Sequence, residues 1–358
     1  MRVLEIAPLW ERVPPPAYGG TEAVVSLLVE ELVRRGHEVT LCASGDSITS
    51  ACLFSVYPRS LRTGDNLEDK DPYLWLHGAL SLAQADSFDV VHNHNAEMVM
   101  AMSHMVGVPM LSTMHCLVTP STKIIWDHYQ GYYNTISRAQ RRNMPLVRGG
   151  TFLGAVYNAI DVASFPYQEE KEDFLLFLSR ISPEKGPHLA VEVARRVGMK
   201  LVIAGKVDPN QADQQYFEEV LRPLVDGSQV EYLGEADGEL KRDLYRRARC
   251  LLVPLLWEEP FGLVMAEAMA CGTPVITFKR GAAAEVVADG KTGFLVSNVA
   301  EMVAAIQRLD EISPRSCRQH VEENFDIPMM ADCYLALYEE ILRREARGGA
   351  QAAELALA

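Results

Sequence analysis

Short apolar runs alternate with stretches in which apolar residues recur every three or four positions, and this alternation continues along the chain. Residues 3–7, VLEIA, have the pattern of a buried strand, and a loop carrying Pro14, Pro15, Pro16, Gly19 and Gly20 follows. From residue 22 to 35, Val24, Leu27, Leu28, Leu32 and Val33 fall at helical spacing, and Gly36 stops the pattern. HEVTLCA is the next strand. A polar, turn-rich excursion at 58–72 leads to a helix over 73–85, the strand FDVVHNHN, a further helix and the strand VPMLSTMHC. A short helix around 124–130, the strand YYNTISR and the segment FLGAVYNAIDVASF complete the first half, and the charged residues 168–173 read as a linker.

The second half repeats the grammar. FLLFLSRI is a buried strand, SPEKGP a turn, and residues 188–197 a helix closed by Gly198. MKLVIAG and VEYLG are strands, with QYFEEVLRPLV and ELKRDLYRRA as helices. Residues 251–277, LLVPLLWEEPFGLVMAEAMACGTPVIT, read as strand, loop, helix and strand, and GAAAEVVADGKTGFLV as a short helix, a turn and a strand. Helices over 301–309 and 332–344 close the pattern, and GGAQAAELALA reads as a tail. Strands alternating with helices predict an α/β protein with two parallel-sheet domains. The expected division is residues 1–167, residues 168–327, and a closing helix with tail over 328–358 that packs back on the first domain.

Composition narrows the classes. A chain of 358 residues exceeds what one core usually serves, which also predicts two domains. A net charge of -14 argues against nucleic-acid binding and against broad adhesion to anionic lipid, though local peripheral contact stays open. The seven cysteines, at 42, 52, 116, 250, 271, 317 and 333, contain no CxxC pair and suggest neither a disulfide framework nor a zinc site. Glu5 and Pro8 interrupt what would otherwise resemble a signal sequence, and no apolar run approaches the ~18 residues of a spanning helix. A cytoplasmic protein is the expectation.

Chemistry concentrates in 251–277. The N-terminus of a helix following a parallel strand, here near Gly262, Leu263 and Val264, presents free N–H groups at the sheet's carboxyl edge, where anions bind. Glu259 before it and Glu267 within it either touch two sides of a phosphate-bearing ligand or are merely a solvated loop acid and an exposed helical one. Arg180 and Lys185 flank the turn after the first strand of the second half. They either hold a diphosphate, or Arg180 pairs with Glu184 on the surface. PAYGGTE offers a second anion site, but it lacks GxGxxG, which disfavours hydride transfer; Gly205-Lys206 does not complete a P-loop. His92, His94 and His115 stand at strand ends. With no acid at ligand spacing to His92 and His94, a hydroxyl contact is preferred to a metal for His115 and His94. Arg138, Arg141 and Arg142, with Arg148 nearby, are a solvated face or a contact for acidic acceptors or lipid headgroups.

Five segments carry a family resemblance: PAYGGTE at 16–22, STMHC at 112–116, VYNAID at 156–161, LSRISPEKG at 178–186 and EPFGLVMAEAMACGTPVI at 259–276. In this order they resemble glycosyltransferase family 4, retaining transferases of the GT-B fold, over nearly the full chain. The resemblance implies two Rossmann-like domains facing a central cleft. It implies that Glu259 binds hydroxyls of the donor sugar and helps stabilise charge at its anomeric carbon, that Glu267 binds the nucleotide ribose, and that Arg180, Lys185 and the backbone of Gly262, Leu263 and Val264 hold the diphosphate. Gly20 lets the first domain's loop close on the donor phosphates, and His115 contacts the sugar; Gly19 and His94 belong to the sugar or acceptor side, and Gly234 and Glu235 lie near the nucleobase. The departing phosphate serves as the base, so no Asp or Glu nucleophile is required. The family also lacks the Asp-x-Asp metal site of the other common transferase fold, and with no such triplet expected in this chain, independence of metal and of any other cofactor follows. VYNAID lacks the proline that more often precedes the asparagine, so Asn158 receives no donor contact. A related group of antibiotic-tailoring transferases resembles SRAQR and KEDFLLF as well and points to a soluble acceptor.

The leading expectation is transfer of a hexose, glucose from UDP-glucose, to an acceptor hydroxyl with retention. Alternatives are a UDP-sugar 2-epimerase or a phosphorylase on the same fold, and a non-catalytic nucleotide-sugar-binding protein. The intact pair Glu259 and Glu267 argues against the last.

Overall fold

The structure, a computed structural model, describes residues 1–62 and 67–357, the side chain of residue 96 and those from 348 onward excepted. Residues 63–66 of the turn-rich excursion, and Ala358 of the expected tail, lie outside the described residues. The chain divides into two compact units, Met1–Ile136 with Met144–Ala159 and Ile327–Ala358, and Ser137–Asn143 with Ile160–Asp326.

In the first unit, β1 (Arg2–Ile6), β2 (Glu38–Cys42), β3 (Cys52–Phe54), β4 (Val90–Asn93), β5 (Met110–Met114), β6 (Tyr132–Thr135) and β7 (Thr151–Ala155) form one sheet in the order β3-β2-β1-β4-β5-β6-β7. Every pairing is parallel. Both faces of such a sheet are covered by helices, so its central strands are apolar without alternation. β4 and β5 are buried throughout. β3 was not anticipated, because three residues are too few to show a period.

The helix Ile327–Leu357 belongs to this unit and includes the segment read as a tail. Ala331, Tyr334, Tyr338 and Ile341 are fully buried, so one face of the helix is core although Glu339, Glu340 and Arg343 surround it. Arg35, at the end of the helix Gly20–Arg34, fixes its start by pairing with Asp332 and donating to the Pro328 carbonyl at 3.2 Å. The Tyr338 hydroxyl donates to Glu5 Oε1 at 3.0 Å, 333 residues away in sequence.

The second unit has β8 (Phe174–Leu178), β9 (Lys200–Ala204), β10 (Val230–Tyr232), β11 (Cys250–Val253), β12 (Val275–Phe278) and β13 (Gly293–Val296), in the order β10-β9-β8-β11-β12-β13 and again all parallel. Its helices start where their caps dictate. Asp237 accepts from the N–H groups of Glu239 and Leu240 at 3.1 and 2.8 Å to open Gly238–Arg247, and Gly198 in the left-handed region ends Pro187–Val197. QYFEEVLRPLV is not one regular helix. It begins as Gln211–Tyr216, widens to a π turn over Phe217–Leu221 and tightens over Arg222–Leu224, where Pro223 removes an N–H from the ladder. The helix Pro314–Asn324 escaped the pattern because only Cys317 and Val321 of it are buried.

Residues 168–173 are not a free linker. The Gln168 N–H donates to the Cys271 carbonyl at 3.2 Å, and Lys171 Nζ donates to the carbonyls of Arg246 and Cys271, both at 2.9 Å. The lysine thus satisfies two helix C-termini, where a cation is favoured. The chain crosses between units at Ala159/Ile160 instead, and Ser137–Asn143 belongs to the second unit. There Glu285 accepts from the N–H groups of Arg138 and Ala139 at 2.8 and 2.6 Å, capping the helix Arg138–Asn143.

Replacing Tyr338 with Phe leaves Glu5 one donor short in a fully buried setting. Such a loss costs about 1–3 kcal/mol. We expect a drop of that size in unfolding free energy by urea titration, and an unchanged value would mean that the hydroxyl does not hold the helix.

Candidate active site

Both sheets reverse strand order beside their first strand, and ligands of open parallel sheets sit beyond the carboxyl ends at that reversal. In the second unit the reversal lies between β8 and β11. The chain leaving β8 carries Arg180 and, on the turn Pro183–Lys185, Lys185; the chain leaving β11 carries Trp257, Glu259 and Gly262. Gly186 has φ of 73°, and a Cβ there would stand 2.3 Å from the Pro254 carbonyl oxygen, so only glycine lets the two loops close.

Lys185 Nζ lies 2.5 Å from Glu259 Oε2 and 4.6 Å from the centre of the Trp257 ring, while Trp257 Nε1 donates to the same carboxylate oxygen at 3.1 Å. Glu259 is 9% exposed. Its backbone is held by the loop that follows β12: the Ala282 N–H donates to the Glu259 carbonyl at 2.8 Å, and Gly281, whose Cβ position is 2.3 Å from the Glu259 nitrogen, permits the approach. Gly262, at φ 88°, caps the helix Leu263–Ala270. Leu263 and Val264, as its first residues, have N–H groups without an intrahelical acceptor. Ser179, Lys185, Glu259, Gly262 and Val264 line one depression.

Glu267, on the same helix, is 8% exposed. Lys241 Nζ reaches its Oε1 at 2.7 Å and the Tyr245 hydroxyl donates to its Oε2 at 2.9 Å. Burial and the Glu267 charge push the Tyr245 phenol well above its ordinary range. Arg180 is engaged by Glu184 at 2.5 Å, Asp213 at 3.1 Å and Asp208 at 3.4 Å. The pairing with Glu184 therefore occurs, as one arm of an acidic cradle. Gly234, at φ 76°, and Glu235 follow β10, two strands from the reversal; the Gly234 carbonyl accepts from the Gly205 N–H at 2.7 Å, and neither residue is hydrogen-bonded to the Lys185–Glu259 pair.

In the first unit the positive φ belongs to Gly19, at 146°, whereas Gly20 opens the helix Gly20–Arg34 as an ordinary helical residue. Backbone freedom in this loop thus sits one residue earlier than expected. Glu22 and Glu11 are buried beside it, with the Glu11 N–H donating to Glu22 Oε1 at 3.3 Å and Arg62 paired to Glu11 at 2.6 Å. Burial raises the Glu22 carboxyl to about 7.

His94 and His115 are brought together, with His94 Nδ1 2.8 Å from His115 Nε2. Behind them stands a residue that spacing alone could not supply. The parallel register sets Glu5 of β1 beside His92 of β4, and Glu5 Oε2 lies 3.0 Å from His94 Nε2 and 3.3 Å from His92 Nδ1. The expectation that no acid accompanies His92 and His94 is therefore corrected. The donor atoms of Glu5, His92 and His94 fall within 4.8 Å of one another, a set able to hold a metal ion, yet each already has a hydrogen-bond partner in the protein. Burial alone would raise the Glu5 carboxyl, but the His92 charge and hydrogen bonds from both histidines lower it to about 2. Burial lowers His94 to about 4 and, with His94 and His92 adjacent, holds His115 well below the usual histidine value.

Two further features bear on chemistry. Asp69-Lys70-Asp71 is an Asp-x-Asp triplet, which corrects the expectation that the chain holds none; its acids are exposed, and Asp69 Oδ1 accepts the Asp71 N–H at 3.0 Å to open the helix Asp71–Leu82. The basic cluster is partly neutralised, since Arg142 approaches Glu285 at 3.3 Å.

The family model for glycosyl transferases group 1 matches residues 161–324, and that for glycosyltransferase family 4 matches residues 18–162. The chain belongs to glycosyltransferase family 4. Glycogen synthase of Mycobacterium tuberculosis is 26% identical, with 96% of each chain aligned. The solved structure of AviGT4, a glycosyltransferase involved in avilamycin A biosynthesis, is 27% identical at a TM-score of 0.75, covering 96% of this chain and 98% of that one. Anabaena HepE in complex with UDP and glucose superposes at a TM-score of 0.73 with 18% identity, over 95% and 100% of the two chains. This glycosyltransferase has the GT-B fold, and no described helix is long and apolar enough to cross a membrane.

Family 4 motifs marked the glutamates and cations but not Trp257, Lys241, Tyr245, Asp208 or Asp213. Lys241 and Tyr245 had a signal, since four residues apart on a helix they share a face.

The buried histidines set a pH dependence. His94 and His77, the latter bonded through Nε2 to the Ala7 carbonyl, are both lowered by burial to about 4 from 6.5. Between these values the unfolded chain binds more protons, so stability falls as pH drops from about 6.5 to 4, by on the order of 1 kcal/mol per pH unit for each histidine. Glu5, depressed from 4.5 to about 2, contributes fully above 4.5 and adds its loss only below that. The Glu22 carboxyl, raised by burial from 4.5 to about 7, works the other way between those values and offsets about one histidine. The net effect is a lower urea midpoint at pH 5 than at pH 7; an equal or higher midpoint at pH 5 would contradict neutral burial of these rings.

Proposed function

We propose that this glycosyltransferase moves a hexose, glucose from UDP-glucose, to an acceptor hydroxyl with retention at the anomeric carbon and without a metal. The observation that carries the reading is the Lys185–Glu259 pair beside the Gly262 helix start at the β8/β11 reversal. A cation, free N–H groups and a carboxylate at one point suit a ligand with a diphosphate on one side and sugar hydroxyls on the other. Further support comes from the likeness to a glycogen synthase and to a protein bound to UDP and glucose. The likeness to a glycosyltransferase involved in avilamycin A biosynthesis favours a soluble acceptor.

In this reading Lys185, Arg180 and the backbone of Gly262, Leu263 and Val264 hold the diphosphate, where leaving-group charge develops. Glu259 binds sugar hydroxyls and steadies positive charge at the anomeric carbon. Glu267 takes the ribose hydroxyls, oriented by Lys241 and Tyr245; Gly234 and Glu235 border the base. The roles assigned to the first unit are Gly20 for the donor phosphates, His115 for a sugar hydroxyl, and Gly19 and His94 for the sugar or acceptor side. The departing phosphate oxygen accepts the acceptor's proton. Among the described residues no disulfide joins the cysteines, which fits a reducing compartment and supports a cytoplasmic site of action.

Replacing Glu267 with Ala removes charge-assisted hydrogen bonds to the ribose, so UDP affinity by calorimetry should fall about tenfold to a hundredfold while the thermal midpoint confirms folding. Unchanged affinity would remove Glu267 from this role. Transfer from UDP-glucose should persist in excess EDTA. Turnover that vanishes there and returns only with magnesium or manganese would overturn metal independence and direct attention to Asp69-Lys70-Asp71.

A further inference from the structure

Hydrogen bonds among buried residues on adjacent strands of the first unit run in one direction and end on a partly exposed histidine. The chain starts at Glu5, which is fully buried. The Tyr338 hydroxyl donates to its Oε1 at 3.0 Å, and His92 Nδ1 lies 3.3 Å from its Oε2. His92 is itself fixed, with Nε2 2.7 Å from Thr113 Oγ1, whose proton goes to Asn134 Oδ1 at 2.7 Å. An ionised carboxylate only accepts, so His94 Nε2, 3.0 Å from Glu5 Oε2, carries a proton. His94 is 2% exposed, and burial favours the neutral ring, which has one proton to place. Its Nδ1 is then a bare acceptor.

His94 Nδ1 lies 2.8 Å from His115 Nε2, so His115 donates there and its own proton sits on Nε2. Nδ1 of His115 is left as a lone pair. The opposite order would set the bare Nε2 of His94 against a carboxylate oxygen at 3.0 Å, two acceptors face to face. Which nitrogen of a histidine is protonated is set by what the other nitrogen meets.

We propose that Glu5 and His94 are positioning residues that lock His115 in its Nε2–H tautomer, so that His115 meets a sugar hydroxyl as a hydrogen-bond acceptor through Nδ1. The sugar contact rests on the reading of His115 given above; the tautomer does not. Glu5 and His94 then govern turnover without touching substrate.

The test is long-range proton–nitrogen correlation NMR on the full chain labelled with [15N]histidine, the His115 signals being assigned by their loss in His115→Asn. The wild type should show Nε2 of His115 protonated and Nδ1 bare. In Glu5→Gln the Tyr338 hydroxyl still donates to the remaining oxygen, which turns the amide N–H groups toward His94 Nε2. The order reverses, His115 becomes Nδ1–H, and kcat falls about tenfold to a hundredfold with the donor KM within about twofold, the scale of one charge-assisted hydrogen bond. In His94→Gln the side-chain amide can donate to Glu5 and accept from His115, so the Nε2–H tautomer persists and kcat falls less than in Glu5→Gln. A wild-type His115 protonated on Nδ1, or an unchanged tautomer in folded Glu5→Gln, overturns the proposal. If Glu5→Gln fails to fold, judged by its thermal midpoint, the wild-type and His94→Gln spectra decide. These spectra need no substrate. A chain with the expected tautomer that transfers no sugar would refute the proposed function and leave the relay standing.

Discussion

Strand direction is the constraint on which this molecule depends. Because every strand in each sheet is parallel, all carboxyl ends lie on one edge, and the crossover helices that parallel pairing demands cover both faces. Polar chemistry can then gather only at the loops of that edge, and the reversal of strand order opens the gap between two of them. Lys185 and Glu259 are 74 residues apart in sequence yet in contact, because β8 and β11 are neighbours. The same logic in the first unit sets Glu5 beside His92 across β1 and β4.

At the second unit's edge, charge is balanced locally. Lys185 faces Glu259, Lys241 faces Glu267, and Arg180 faces three carboxylates. Removing one partner of such a half-buried pair strands the other, which costs more than the pair gains. An anion arriving there exchanges partners with these acids, and its net binding energy is the difference between two attractions. Trp257 adds a contact of another kind, its ring face lying against the Lys185 ammonium. That contact stays favourable whichever anion the lysine meets.

Much of this architecture was legible in the sequence, and the reasons are physical. FLLFL and CLLV are buried from end to end, as strands covered on both faces must be, and Gly36, Gly198 and Gly272 mark helix ends through backbone conformations that other residues adopt with strain. Helix Pro314–Asn324 and strand β3 were not legible, since one buries two side chains and the other has three residues. Glu259, Glu267, Arg180 and Lys185 could be found because motif and local element place them together. Glu5 could not, although an acid inside VLEIA is itself a signal, because its partners on β4 and on the last helix are joined to it only by sheet register and tertiary docking. The charged run 168–173 reads as a linker for a related reason: only the tertiary fold shows that Lys171 satisfies two helix ends.

The bond between Tyr338 and Glu5 also bears on the order in which this protein can be completed. Synthesis delivers Glu5 first and Tyr338 333 residues later. Throughout that interval the carboxylate between His92 and His94 lacks its third donor, and the apolar surface later covered by Ala331, Tyr334 and Ile341 has no helix to cover it. The second unit, by contrast, has its whole sequence made by Asp326. The unit whose translation begins first is therefore the last to close, and a chain stalled or clipped before residue 327 carries the whole sequence of the second unit but an open core in the first.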